Sequence, residues 1–312
     1  MLLQQPHEIQ APSVLRGMIY GQPGVGKTTL ALSFPKAVLI DTDRGVHRVS
    51  PLYRVPTLSV GAYKDILDLL KSNELAGFET IVIDTVGKLI DYIIEYVKRS
   101  RDMATTYSGD LSQKGWGFVS IEFKNLFARI EALQKNVILV AHEAEEKLTD
   151  GRVIKRPSIA GGTRKTLPEM MEFIGYMSST NNGDGRVLNL NPSEDFYAKN
   201  GLGIDSVFNV ANPERVNNFA SVNIVDAYKK VVASGTEKAN EFKLQMSVFD
   251  EKLEEVSDAD SANDILKSIN NYEDFFGFHQ IVKQKLWLKA KDLDLDFKNN
   301  CFAIKEKQEE HA

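Results

Sequence analysis

The stretch from Gly21 to Thr28, GQPGVGKT, contains three glycines followed by a lysine and a threonine. It matches the pattern G-x-x-x-x-G-K-[ST], in which glycines let successive backbone N–H groups point inward and form a nest for phosphate oxygens. A strand-like run precedes the loop and a helix-like run follows it, so the positive end of a helix faces the same anion. The predicted nucleotide-binding residues are Gly21, Gln22, Pro23, Gly24, Val25, Gly26, Lys27, Thr28 and Thr29.

Three side chains in and beyond this loop predict the chemistry. Lys27 is expected to reach the β- and γ-phosphates as a catalytic cation, and the Thr28 hydroxyl is expected to ligate Mg²⁺. Further along, the apolar run TIVID ends in Asp84. A carboxylate at the end of a buried strand can hold the same Mg²⁺ through water, although a helix N-cap is an alternative role for Asp84. No N-K-x-D guanine signature is present, so we expect ATP and Mg²⁺ as cofactors.

Strand-like and helix-like segments alternate from residue 13 to residue 143. The strand-like segments are continuously apolar, which is typical of a parallel sheet that is covered on both faces. Two hairpin patterns follow, with turns at Asp150–Gly151 and at NNGDG. The sequence therefore predicts an α/β fold: a P-loop core over residues 1–215, with a mostly parallel sheet and antiparallel edge strands, and a helical acidic region over residues 216–312.

The composition and charge of the chain limit its possible binding partners and cellular location. The formal net charge is −5, so any nucleic-acid site must be a local basic patch. Cys301 is the single cysteine of the sequence, which rules out an intrachain disulfide and suits a reducing cytoplasm. The N-terminal residues do not have the pattern of a signal peptide, and no apolar run is long enough to cross a bilayer. We therefore expect a cytoplasmic location and no membrane partner.

The order of these motifs resembles the RecA-like recombinase ATPases, and most of all the short phage-encoded RecA-like proteins associated with single-strand annealing. The resemblance covers roughly residues 13–203. In that family an acid beyond the second strand polarises the attacking water, and a polar residue at a later strand tip senses the γ-phosphate. Asp43 and His142 stand at these positions in place of the usual Glu and Gln. A turn formed by Asp41 and Asp43, and a strand-end cap at His142, are the structural alternatives.

RecA itself carries a Lys-Asn-Lys after a late strand, and its lysines act on the ATP of the neighbouring subunit. Lys199 and Asn200 match the first two positions, whereas Gly201 replaces the second lysine. The resemblance therefore implies a catalytic role for Lys199 in trans and self-association into a ring or filament. An exposed lysine at a turn is the alternative. The rival candidates for the finger are Arg164 and Lys165.

The two DNA loops of the family would correspond to the polar stretch before Gly117 and to the segment after His142. Cations for phosphates and aromatic rings for bases are what single-strand binding needs, although two solvated surface loops are the alternative. The predicted DNA-binding residues are Arg99, Arg101, Tyr107, Lys114, Trp116, Lys155 and Arg156.

The resemblance implies a DNA-dependent ATPase that binds single-stranded DNA and acts in phage or bacterial recombination, annealing or repair. A phage-encoded protein of this kind would work in the cytoplasm of the bacterial host, with a single-strand-binding protein as a further partner. The alternative function is a P-loop ATPase switch or motor subunit, such as a helicase loader or packaging ATPase, without recombinase activity.

Overall fold

The computed structural model describes residues 3–9, 11–180, 185–212, 217–298 and 300–304. The chain divides into two compact units. One unit is Pro12–Val231, and the other combines Met1–Ala11 with Val232–Ala312. The boundary expected after residue 215 lies outside the described residues. The segment just beyond it belongs to the first unit because the Ser221 N–H donates to the Ser33 carbonyl at 3.1 Å and the Tyr228 hydroxyl donates to the Pro12 carbonyl at 2.9 Å.

Strands and helices alternate through the first unit, as the sequence predicts. Its described strands are β1 (Arg16–Gly21), β2 (Ala37–Asp41), β3 (Thr57–Ser59), β4 (Thr80–Asp84), β5 (Asn136–Lys147), β6 (Val153–Pro157), β7 (Phe173–Ser179), β8 (Arg186–Asn189), β9 (Lys199–Asn200) and β10 (Val207–Val210). Its described α-helices are α1 (Lys27–Ala31), α2 (Tyr63–Lys71), α3 (Val86–Ser100), α4 (Gln113–Glu131) and α5 (Thr163–Met170), and α6 (Asp226–Glu254) starts in it. Short 3₁₀ turns at Val46–Arg48 and Pro51–Tyr53 follow β2, and a π-helical turn at Ser221–Val225 precedes α6.

The ten strands of the described part of this unit form one sheet. Its order is β10-β8-β7-β1-β5-β4-β2-β3, with β6 paired to β5 and β9 paired to β7. Strands β1 to β5 and β7 run parallel, whereas β6, β8, β9 and β10 pair in antiparallel fashion. The predicted fold class, a mostly parallel sheet with antiparallel edge strands, is confirmed. The NNGD part of the second predicted turn lies outside the described residues.

Burial explains why the central strands are apolar along their whole length. Helices α2, α3 and α4 cover one face of the sheet in a single core cluster, whose strand residues include Met18, Ile40, Ile83 and Leu139. Residues in between, such as Ile19, face the other side and are equally buried. Because the strands are parallel, their carboxyl ends meet at one edge. That edge carries Gly21, Asp41, Asp84 and His142.

The second unit is helical, which confirms the predicted helical C-terminal region. It contains the rest of α6, followed by α7 (Ala259–Ser268), α8 (Phe278–Asp292) and the hairpin β11 (Leu295–Lys298)–β12 (Cys301–Ile304). Its short 3₁₀ turns are Pro6–Glu8, Ile269–Asn271 and Phe275–Gly277. In the core of this unit, the ring centroids of Phe249 and Phe278 lie 5.1 Å apart. None of the helices in the described ranges combines the length and the apolar character needed to cross a membrane.

The close contact between Gly17 on β1 and the Phe173 ring on β7 allows a test of the fold. At Gly17 on β1, a Cβ atom would lie 2.0 Å from the ring of Phe173 on the neighbouring strand. Gly17→Ala should therefore lower the free energy of unfolding by about 1–3 kcal/mol through overpacking. Gly77→Ala is the matched control, because nothing lies within 4 Å of its added methyl group. Urea unfolding measures both variants, and equal midpoints would contradict the packing of β1 on β7.

Candidate nucleotide-binding site

The phosphate loop joins the end of β1 to the start of α1. Gly26 precedes the helix in the left-handed conformation, at φ 96°, which glycine adopts without steric cost. The loop opens into a cleft of about 550 Å³ at the carboxyl edge of the sheet. The residues that line this cleft are Pro23, Gly24, Gly26, Lys27, Thr28, Thr29, Asp43, Gly45, Arg48, Val49, Asp84, Thr85, His142 and Arg186.

Lys27 is the buried cation of the loop, with 6% of its surface exposed. Its Nζ donates to the carbonyl oxygens of Gly21 at 3.0 Å and of Gln22 at 2.7 Å. Burial lowers the pKa of the ammonium group, although the charges of Asp84 and Glu143 act in the opposite direction. A phosphate at the loop would supply the anionic partner that the two neutral carbonyls do not, so the loop fits the phosphates of ATP.

Thr28 and Asp84 form the second part of the site. The Thr28 hydroxyl donates to Asp84 Oδ2 at 2.6 Å. Burial raises the pKa of the Asp84 carboxyl, and the nearby charges of Asp41 and Asp43 raise it further. The N-cap of α3 is Thr85, whose hydroxyl accepts from the Lys88 N–H at 3.4 Å. Asp84 therefore does not cap the helix, and its carboxylate and the Thr28 hydroxyl are the oxygen ligands that Mg²⁺ prefers.

The two acids after β2 lie in different environments. The Asp41 carboxylate accepts from the N–H groups of Gly45 and Val46, each at 3.0 Å, and so holds the turn together. Asp43 lines the cleft, and its carboxylate pairs with Arg48 at 2.9 Å. The turn role therefore falls to Asp41, which leaves Asp43 at the cleft where an attacking water would be activated.

His142 lies on β5 beside the phosphate loop. It pairs in register with Gly21, and its exposed side chain lines the cleft. Its backbone carbonyl accepts from the Ser158 N–H at 2.8 Å, which ties the loop after β6 to the edge of the nucleotide cleft. The position suits the predicted γ-phosphate sensor, whose role stays a prediction.

Lys199 lies away from the cleft of its own subunit. It stands on β9 opposite Ile174, near the amino end of β7. Its Nζ donates to the carbonyl oxygens of Met171 at 2.5 Å and of Pro168 at 3.4 Å. Arg164, a rival candidate for the finger, pairs with Glu146 at 2.5 Å. The trans role of Lys199 stays a prediction.

Two of the residues predicted to bind DNA lie on a helix. Ser112 caps α4 by accepting from the Gly115 N–H at 3.0 Å, so Lys114 and Trp116 belong to its first turns. A Cβ at Gly161 would lie 2.5 Å from the Trp116 ring, so this ring is packed against the loop after β6.

The remaining residues of the first predicted DNA loop lie near the end of α3 and on the turn before α4. Tyr107 is fully exposed at the tip of a small turn closed by the Thr105–Leu111 bridge. The Arg101 guanidinium lies over the Phe118 ring at 5.8 Å. Arg99 pairs with Glu95 at 3.8 Å.

Lys155 and Arg156 lie on strand β6 and not in a loop. Lys155 Nζ donates to the Tyr176 hydroxyl at 3.1 Å. The Arg156 guanidinium lies over the Tyr197 ring at 5.3 Å and pairs with Glu146 at 2.5 Å. Both cations are therefore engaged by side chains of the same unit.

Sequence reasoning missed two arginines at the cleft. Arg48 lies in the 3₁₀ turn after β2 and pairs with Asp43. Arg186 is the first residue of β8, and its guanidinium lies 3.2 Å from where a Cβ at Gly26 would stand. Local pattern could not bring Arg186 to the phosphate loop, because its position depends on β7 inserting beside β1 and carrying β8 with it.

The phosphate loop, its buried lysine and the Thr28–Asp84 pair on a mostly parallel sheet define a P-loop nucleoside triphosphatase. A protein-family model described as an AAA domain matches residues 13–202, which is more than half of the chain. The chain therefore belongs to this family of AAA-type P-loop ATPases. Among curated proteins, none matches the chain. The family implies ATP binding, typically with Mg²⁺, while the narrower resemblance to phage recombinases stays a prediction.

Asp84→Asn should separate stability from activity. Because burial raises the pKa of the carboxyl, the folded state binds the proton more tightly than the unfolded state. Stability is therefore lost as the pH rises from the unfolded pKa through the folded pKa. At neutral pH the nucleotide-free variant should be more stable than the wild type. Its Mg²⁺-dependent ATP hydrolysis should fall at least about a hundredfold, since charge stabilisation by a metal contributes several kcal/mol.

Urea unfolding between pH 4 and pH 8 and a phosphate-release assay measure the two effects. Asp91→Asn is the matched control, because this exposed carboxylate on α3 pairs with Lys88 at the surface. Wild-type hydrolysis by Asp84→Asn, or a less stable variant at neutral pH, would contradict the assignment.

Proposed function

We propose that this AAA-type ATPase hydrolyses ATP while assembled on single-stranded DNA, and that it acts in recombination, annealing or repair of phage or bacterial DNA. The observation that carries the proposal is the exposed turn at Tyr107, with the cations Arg101 before it and Lys114 after it in the chain.

The residues of the nucleotide cleft support the proposed binding and hydrolysis of ATP. Lys27 holds its charge at the centre of the loop, and Thr28 and Asp84 would hold Mg²⁺. When bound, the metal neutralises charge that develops on the transferring phosphoryl group. Asp43 would accept hydrogen bonds from the attacking water, and His142 would sense the γ-phosphate, since both side chains line the cleft.

The proposed binding of single-stranded DNA depends on one surface. We call it the basic hairpin and define it as residues 99–114. Tyr107 presents an unobstructed ring at its tip, as base stacking requires. Arg99, Arg101 and Lys114 supply cations that a phosphate backbone would attract. Lys155 and Arg156 contribute less to the proposal, because they lie on strand β6, outside the basic hairpin.

Packing joins helix α4, which follows the basic hairpin, to the edge of the nucleotide cleft. The loop after β6 touches the first half of α4, where Trp116 lies against Gly161 and the Ser120 hydroxyl lies 3.3 Å from a Cβ position at Gly162. The same loop donates from Ser158 to the carbonyl of His142 at the cleft. A change at His142 would therefore reach the surface beside the hairpin through direct contacts, which supports coupling between ATP and DNA.

Tyr107→Ala should weaken single-strand binding by about 1–3 kcal/mol, because a stacking ring is lost. Tyr107→Phe is the matched control and should retain binding, since it keeps the ring. Lys114→Ala should reduce the slope of affinity against salt by about one phosphate contact. Anisotropy of a fluorescent oligothymidine, titrated at two salt concentrations with Mg²⁺ and ATP, measures all three variants.

The ATPase rate with and without the oligonucleotide completes this test. Single-stranded DNA should raise the wild-type rate, and Tyr107→Ala should lose this stimulation while keeping the basal rate. Unchanged DNA affinity in both the Tyr107→Ala and Lys114→Ala variants would reject the hairpin as the DNA site. Active ATP hydrolysis with neither binding nor stimulation by DNA would favour a switch or motor subunit.

The proposed assembly can be tested through Lys199. In a head-to-tail assembly one subunit's Lys199 would act on the ATP of its neighbour. Lys199→Ala and Lys27→Ala should each be inactive, the first in trans and the second in cis. An equal mixture should recover activity, because roughly a quarter of interfaces would combine an intact loop with an intact finger. Phosphate release from mixtures at several ratios measures this recovery.

Lys165→Ala, mixed with Lys27→Ala in the same way, tests the rival candidate, since this exposed lysine lies on the same short helix, α5, whose end Lys199 contacts. If mixed assemblies form on DNA while activity stays absent, Lys199 is not the finger. The Lys199 ammonium donates to two backbone carbonyls, so its loss could also destabilise the fold. The unfolding midpoint of Lys199→Ala is therefore measured as well.

A further inference from the structure

Arg186 stands at the phosphate-loop edge of the sheet. Along β7, Met177 pairs with Gly21, and Ser179 two residues further on pairs with Arg186. Strand β7 therefore runs past the carboxyl end of β1, and the returning strand β8 starts beside the phosphate loop. Arg186 is the first residue of β8 and lines the nucleotide cleft.

The guanidinium of Arg186 lies directly against the loop. Three of its atoms lie 3.2–3.3 Å from where a Cβ at Gly26 would stand. Its Nη1 donates to Asn212 Oδ1 at 3.2 Å, which orients the group. Within the described ranges no carboxylate pairs with Arg186, which stands at the rim of an anion-binding nest.

The sheet order shows which end of a nucleotide this charge would meet. The order β8-β7-β1-β5-β4 puts Arg186 on one side of β1 and Asp84 on the other. The Thr28–Asp84 pair would hold Mg²⁺, which would stabilise charge on the transferring phosphoryl group, so the γ-phosphate end of the nucleotide belongs on that side. With the γ-phosphate at the Thr28–Asp84 pair, the rest of the phosphate chain would extend toward the side of β1 where Arg186 lies.

We propose that Arg186 binds, in its own subunit, the diphosphate that ATP and ADP share. A guanidinium offers a planar fork of N–H donors that matches phosphate oxygens, and it keeps its charge at every physiological pH. Arg186 is thus a further cis cation of the site, on the side of β1 opposite the Thr28–Asp84 pair. The inference rests on the nucleotide cleft alone and is independent of the proposed DNA role.

Titration of fluorescent ADP and ATP analogues with Mg²⁺, without DNA, tests the proposal. Arg186→Ala should weaken both affinities by the same factor, about 10- to 100-fold, since a hydrogen bond to a charged group contributes about 1.5–3 kcal/mol. Arg186→Lys should lose less, because it keeps the charge but not the fork. Arg129→Ala is the matched control and should bind both nucleotides as the wild type does, since this exposed arginine lies on α4 away from the cleft.

The comparison of the two nucleotides decides the outcome. A loss confined to ATP would overturn the proposal, because it would assign Arg186 to the γ-phosphate. Unchanged affinity for both nucleotides would overturn it as well. Arg186→Gln, which keeps much of the side-chain volume, should show the same equal loss, and it replaces Arg186→Ala if urea unfolding finds that variant unfolded. A failure of DNA binding would leave this result intact, since no DNA enters the titration.

Discussion

The site depends on the burial of one ammonium group. Lys27 is almost fully enclosed, yet its hydrogen-bond partners are two neutral carbonyl oxygens. A buried charge without an ionic partner is costly, and the lowered pKa of Lys27 expresses that cost. A bound triphosphate would remove it. The loop is thus built for an anion that the chain itself does not supply, and a nucleotide that binds only the folded state would stabilise the fold as well.

Three carboxylates near the carboxyl edge of the sheet have different hydrogen-bond partners. Asp41 accepts two backbone N–H groups, and Asp43 pairs with Arg48. Among the residues that the structure describes, the Thr28 hydroxyl is the one side-chain hydrogen-bond partner of Asp84, and burial raises the pKa of Asp84. Of these three acids, Asp84 is the one whose negative charge is left for a cation. This difference favours Asp84 and Thr28 over the turn as the place where Mg²⁺ would bind.

The sequence predicted the elements that are encoded locally. The glycine spacing identified the phosphate loop, and apolar runs that end in acids identified the parallel strands whose ends bear Asp41 and Asp84. The start of α4 was missed, because Ser112 caps it inside a polar stretch rich in Ser, Thr, Asp and Gly that reads as a loop. Arg186 was missed for a different reason. Strand order is a long-range property, and no local pattern shows that β7 pairs with β1.

The pairing of neighbouring strands with β7 places the two cations Arg186 and Lys199 far apart. Lys199 of β9 pairs with Ile174 of β7, and Arg186 of β8 pairs with Ser179 of β7. The two cations therefore lie toward opposite ends of β7. Arg186 therefore shares an edge with the phosphate loop of its own chain, whereas Lys199 lies toward the other edge. In a head-to-tail assembly the edge that carries one subunit's nucleotide faces a different surface of its neighbour. A chain with this topology can hold a nucleotide with cations of its own and still require a neighbour to complete hydrolysis.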